Sequence, residues 1–179
     1  MIFILLFIFG LMKVIFATKI FKDRMVGARS EKTHIQKQTS HQTKYTLISC
    51  ISAFGVVHSK LYETQKAGIN SNRFIDFLEE LIPLLPPNSV VYLDNAKIHK
   101  TDAVLMFLEG MQVNYRFLSP YSPEYNPIEL LFGWIKRRIA GVGGDKVREA
   151  VSKALQEVTP ELLQSWYRRA KYFWDLDEV

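Results

Sequence analysis

Two carboxylates set the terms on which this chain can be read. Asp94 ends the apolar run SVVYLD, and Glu129 opens the segment ELLFGWIKRR, with 34 residues between the two acids. An acid at a strand end stands at the carboxyl edge of a sheet, where open α/β sheets place ligand sites. An acid in the first turn of a helix is stabilised by the helix dipole and stays ionised. Brought together, two such groups suit hard cations, which prefer carboxylate oxygens, and hard cations suit phosphodiester chemistry. Asn95, His99 and Lys100 add polar groups in the short loop after Asp94. Each feature also has a plainer reading. An aspartate there can cap a loop, and His99 can orient a carboxylate or meet phosphate, though a single histidine is more often structural. Asn126-Pro127-Ile128-Glu129 has the form of a capping box, with Glu129 reaching back to Asn126.

On a helix that opens at Asn126-Pro127, the face of Glu129 continues through Phe132, Gly133, Lys136 and Arg137. Leu131, Trp134 and Ile135 form an adjoining apolar stripe. An acid followed by bases one to two turns later suits a DNA backbone passing a metal site. A solvated basic helix end that complements the dipole needs no ligand.

The elements that must position these residues follow from periodicity. Residues 1–17, MIFILLFIFGLMKVIFA, read as a strand buried on both faces. A membrane span or signal segment and a wrongly started N-terminus are the alternatives. Lys13 interrupts the run, where a span needs about 20 apolar residues, and no basic residue precedes it as in a signal peptide. Lys19 to Lys44 is polar and basic without clear period. YTLISCISAFGVV and HSKLYET, parted around Gly55, predict two further strands in hairpin order. From Ser71 the apolar residues Phe74, Phe77, Leu78, Leu81, Ile82 and Leu85 fall at helical spacing, with Ser71 or Asn72 as cap and Pro86-Pro87 as stop. SVVYLD is then a strand, HKTDAVLMFLEG a helix and VNYRFLS a strand, an alternation that implies parallel pairing. After the Asn126 helix, Asp145 is the expected cap of DKVREAVSKALQEV, and Thr159-Pro160-Glu161 starts a last helix. GVGGD at 141–145 reads as a hinge-like linker.

Bulk composition sets limits. With 179 residues, 48% hydrophobic and 23% charged, the chain fits one folded domain with a sizeable core. A net charge of +5 is a mild basic excess compatible with a polyanionic partner. A single cysteine, Cys50, excludes an internal disulfide and a cysteine-rich zinc site, and its apolar surroundings mark it as buried and structural.

LDNAKIHK followed by FLSPYSPEYNPIELLFGWIKRRI resembles the second and third acidic motifs of the mariner-like DDE transposases and endonucleases. The 34-residue interval matches one of that family's acidic spacings. The similarity covers roughly Tyr45 to Ile139, leaving 1–44 divergent and 140–179 as a helical C-terminal extension of one domain. The resemblance implies an α/β, ribonuclease-H-like fold, a mixed sheet of about five strands flanked by helices. It implies that Asp94 and Glu129 are the second and third catalytic acids and metal ligands, holding Mg²⁺ or Mn²⁺ in a two-metal site. It further implies DNA as partner, both transposon ends and target, a homodimer, and a nuclear or nucleoid location rather than a membrane one. His99, Lys100, Lys136 and Arg137 are the candidate DNA contacts.

The departures from the family are specific. Its first aspartate ends the first strand. Aligning backwards from LISCIS puts that slot near Leu11-Met12-Lys13, and no acid occurs before Asp23. Met does not hold Mg²⁺, and Lys13 opposes it. Nor has the sequence room for the family's N-terminal helix-turn-helix modules. The expectation is therefore a truncated or decayed transposase catalytic domain for metal-dependent DNA strand cleavage and transfer. The alternative is a non-catalytic DNA-binding or assembly module on the same scaffold.

Overall fold

The computed structural model describes residues 5–8, 12–15, 44–64, 69–120 and 126–170. Among the described residues six strands form one mixed sheet: β1 (Leu5–Ile8), β2 (Met12–Ile15), β3 (Lys44–Ile51), β4 (Val56–Thr64), β5 (Val90–Leu93) and β6 (Asn114–Phe117). β3 pairs antiparallel with β4 along its length, and its other edge takes both β1 and β2. β1, β5 and β6 run parallel. The N-terminal run, expected as one strand, is thus two. Ile8 pairs with Cys50 and Met12 with Leu47, so the register slips by one residue between them. An almost wholly apolar run carries too little alternation to show such a break.

β3 is buried at every residue from Tyr45 to Ile51, as its near-continuous apolar run predicts for a strand covered on both faces. Its Ser49 is satisfied across the ladder by Ser59, Oγ to Oγ 2.7 Å. Cys50 is fully buried, and desolvation pushes its thiol well up.

The described residues also form five helices: α1 (Ser71–Leu81), α2 (Asp102–Gly110), α3 (Ile128–Arg138), α4 (Val147–Gln156) and α5 (Pro160–Arg169). α1 buries Phe74, Phe77, Leu78 and Leu81, each contributing on the order of 1.5–3 kcal/mol when fully withdrawn from water. Its cap is Asn70, whose side chain accepts the Arg73 N–H at 3.0 Å, rather than Ser71 or Asn72. The α-helical hydrogen bonding also stops before Pro86-Pro87, because Pro83 has no N–H to continue it and a 3₁₀ turn follows over Ile82–Leu84. Asp145 caps nothing: it lies in a 3₁₀ turn, Gly144–Lys146, ahead of α4. Gly141 and Gly144, with φ of 80° and 59°, take left-handed conformations that favour glycine there. Thr159 caps α5 as expected, accepting the Leu162 N–H at 3.3 Å. α5 is also fastened to the sheet, Tyr167 donating its O–H to the Ile51 carbonyl at 3.0 Å.

No helix among the described residues is long and apolar enough to cross a membrane. The segment 19–43 lies outside the described residues, as does Asp23.

Candidate metal centre

Asp94 stands where its sequence placed it. β5 lies between β1 and β6, its Val91 and Leu93 buried, and the chain leaves the sheet at Asp94. One carboxylate oxygen, Oδ1, accepts two hydrogen bonds, from the Ala96 N–H at 2.7 Å and from His99 Nδ1 at 2.9 Å. A carboxylate oxygen can only accept, which places the proton of that second bond on Nδ1. A 3₁₀ turn over Lys97–Lys100 carries His99 back beneath the acid. The His99 ring is buried, 2% exposed, and lies 4.4 Å from the ring of Phe74 in the core. Asp94 itself keeps 29% of its side-chain surface open. The acid is therefore reachable, and its support is not.

The next residue ties two strand exits together. Leu118, just past β6, donates its N–H to the Leu93 carbonyl at 2.8 Å. Asn95 Nδ2 donates to the Leu118 carbonyl at 2.7 Å, and Lys100 Nζ donates to Asn95 Oδ1 at 2.6 Å while lying 4.9 Å from the Phe117 ring centroid. The segment that leads towards α3 is thus anchored to the one that carries Asp94. The motif LDNAKIHK singled out Asn95 only as a polar neighbour. Its cross-strand partner depends on β5 and β6 being adjacent.

Glu129 lies in the first turn of α3. Asn126 is buried and serves the helix start, its Oδ1 accepting the Ile128 N–H at 3.3 Å and its carbonyl accepting the Glu129 N–H at 3.2 Å. The reciprocal half of the expected capping box is absent. Among the described residues the Glu129 carboxylate accepts no hydrogen bond, which leaves its oxygens for another partner. Glu129 is an exposed residue, yet partial desolvation of its carboxyl raises its pKa. The positive charge of Lys136 opposes the rise, and the negative charge of Asp94 adds to it. Glu129 thus feels the charge of an acid from which 34 intervening residues separate it in sequence.

The faces of α3 are close to those expected, with one correction. Phe132 belongs to the core with Ile128, Leu131 and Ile135, whereas Lys136 and Arg137 are exposed. Trp134 is half-buried, its Nε1–H reaching the Ala154 carbonyl at 3.2 Å. Of the four candidate DNA contacts, His99 is corrected. Its burial and its bond to Asp94 make it a support for the acid rather than a surface contact. Lys100 is exposed but engaged with Asn95 and Phe117.

The strand beside Asp94 is β1, where Ile8 pairs with Leu93, and none of its residues is acidic. Met12 and Lys13 of the anticipated first-acid slot lie instead in β2, which pairs with β3 and not with β5. Among the described residues no third His, Cys, Asp or Glu joins the pair as a metal-binding group. Two carboxylates, one hydrogen-bonded through a single oxygen and one accepting no hydrogen bond among the described residues, are a donor set that fits a hard divalent cation in part.

The chain matches the family model of the DDE superfamily endonucleases over residues 18–147. Among solved structures it is similar to the Mos1 transposase paired-end complex with left transposon end, at a TM-score of 0.70 and 17% identity over 96% of this chain and 53% of that one. It is also similar to the catalytic domain of the Mos1 mariner transposase, at a TM-score of 0.62 and 20% identity over 71% of this chain and 69% of that one. The same catalytic domain solved with Raltegravir and Mn gives a TM-score of 0.62 and 20% identity, over 71% of this chain and 70% of that one. At these identities the likeness is one of fold. The chain spans about half the length of the Mos1 transposase in the paired-end complex, and no curated protein matches it. With a family model spanning most of its length, the chain belongs to the DDE superfamily endonuclease family.

Proposed function

We propose that the chain is a mariner-like transposase catalytic domain on a ribonuclease-H-like scaffold, acting on DNA phosphodiesters with Mg²⁺ or Mn²⁺ held at Asp94 and Glu129. The reading is supported by the charge of Asp94, at the end of β5, acting on Glu129, at the start of α3, with Asp94 Oδ2 and the Glu129 carboxylate accepting no hydrogen bond among the described residues. Divalent cations held by Asp94 and Glu129 would supply positive charge to activate a water or 3′-hydroxyl and to offset charge on the leaving oxygen. The chain's own part is to hold and orient. Asp94 offers an oxygen from a fixed position on the sheet edge. Glu129 offers a carboxylate whose ionised form is disfavoured until a positive charge arrives. Lys136 and Arg137, exposed further along α3, can meet phosphate oxygens and fix the register of a DNA backbone without reading its sequence. Transposon ends and target DNA are the corresponding partners, and a homodimer would bring two ends together.

The test is Mn²⁺-dependent nicking of supercoiled DNA by the full chain. Asp94→Asn and Glu129→Gln should each abolish it. Asp23→Ala asks whether the first acid in the sequence completes the set, and loss of nicking there would name Asp23 as the third ligand. Salt-dependent DNA affinity that needs no metal, with no nicking under any condition, would replace this reading by the non-catalytic binding module.

A further inference from the structure

A carboxylate has about four lone-pair sites on two oxygens. At Asp94, two donors occupy Oδ1, the Ala96 amide and His99 Nδ1. Among the described residues, Oδ2 accepts no hydrogen bond. The donor on His99 comes from a ring that is almost wholly enclosed and stacked in a tilted arrangement against Phe74, which is itself 1% exposed. A ring enclosed this tightly has little room to turn, so the acid cannot rotate without breaking its bond to His99. We propose that His99 is a positioning residue for Asp94. Its Nδ1–H holds Oδ1 inward and leaves Oδ2 as the one oxygen presented to a divalent cation, so Asp94 binds through a single oxygen rather than through both. Asn95 and Lys100 play a separate part, since neither touches the Asp94 carboxylate. The inference rests on the reading of Asp94 as a metal ligand.

Substitutions separate the donor from the packing. Asn in place of His99 keeps an N–H near the position of Nδ1, whereas Phe keeps a ring against Phe74 and removes the donor. Mn²⁺ binding to the full chain is followed by calorimetry, with thermal unfolding of each variant as the check on folding. Loss of an outer-shell partner of this kind weakens metal affinity about 10–100-fold. His99→Phe should show that loss while staying folded, and His99→Asn should restore much of it. Equal affinity in His99→Phe and the unsubstituted chain, with Asp94→Asn still weakened, overturns the inference and leaves the metal site standing. If the unsubstituted chain binds Mn²⁺ no better than Asp94→Asn, the functional reading falls. The ring tautomer then decides the positioning by itself. ¹⁵N spectra showing His99 protonated at Nδ1, and losing that state in Asp94→Ala, support it; protonation at Nε2 alone overturns it.

Discussion

The two acids of the candidate centre are held in opposite ways. Asp94 is fixed by two hydrogen bonds to one oxygen, with a buried histidine and the α1 core behind it. Glu129 stands on a helix that is well anchored by Ile128, Leu131, Phe132 and Ile135, but its own carboxylate is untethered among the described residues. Its pKa is raised where neighbouring positive charge does not compensate desolvation and Asp94. The contrast teaches that a candidate site can be half preorganised: one acid is held in position, and the other awaits a positive charge.

The largest test of that contrast lies under Asp94. Phe74→Ala should destabilise the fold by about 3–5 kcal/mol in denaturant unfolding, and it should weaken Mn²⁺ binding through His99 in whatever fraction remains folded. Replacing the ligands comes next. Asp94→Asn and Glu129→Gln should each cost more metal affinity than the about 10–100-fold lost with an outer-shell support, and only Asp94→Asn should disturb His99 in NMR spectra. A similar disturbance from both would break the distinction.

Asn95→Ala removes the bridge between the exits of β5 and β6. A loss of about 0.5–1.5 kcal/mol is expected, measured by urea unfolding. Lys136→Ala and Arg137→Ala should leave folding alone and each reduce the salt slope of DNA binding by about one. The smallest effect is on pH dependence. Because the folded pKa of Glu129 is raised, its favourable contribution to stability is present below the ordinary glutamate range and is lost as pH rises through the folded value. Glu129→Gln should flatten that part of the metal-free stability profile, and Mn²⁺ should bring the glutamate back down. An unchanged profile in Glu129→Gln would show that its environment is ordinary.

Much of this architecture could be read locally. The spacing of Phe74, Phe77, Leu78 and Leu81 predicted a helix and its buried face, because helical periodicity is a property of adjacent turns. Thr159-Pro160 marked the start of α5 for an equally local reason. Asp145 did not cap α4, since the two glycines before it allow a 3₁₀ turn that takes up the helix entry. Phe132 was assigned to the Glu129 face by spacing, yet core packing claimed it. A helix face is a continuous angle, and only the neighbouring elements decide where it stops being solvent.

By itself the sequence determined the pair Asp94 and Glu129, the elements that carry them and the family motif around them. Those features depend on residue type and on short-range spacing. Tertiary structure alone decided that the N-terminal run would divide between β1 and β2, that Asn95 would reach Leu118, and that His99 would lie beneath Asp94 against Phe74. Each of those contacts depends on which strands and helices are neighbours, and strand order leaves no periodic trace in the chain.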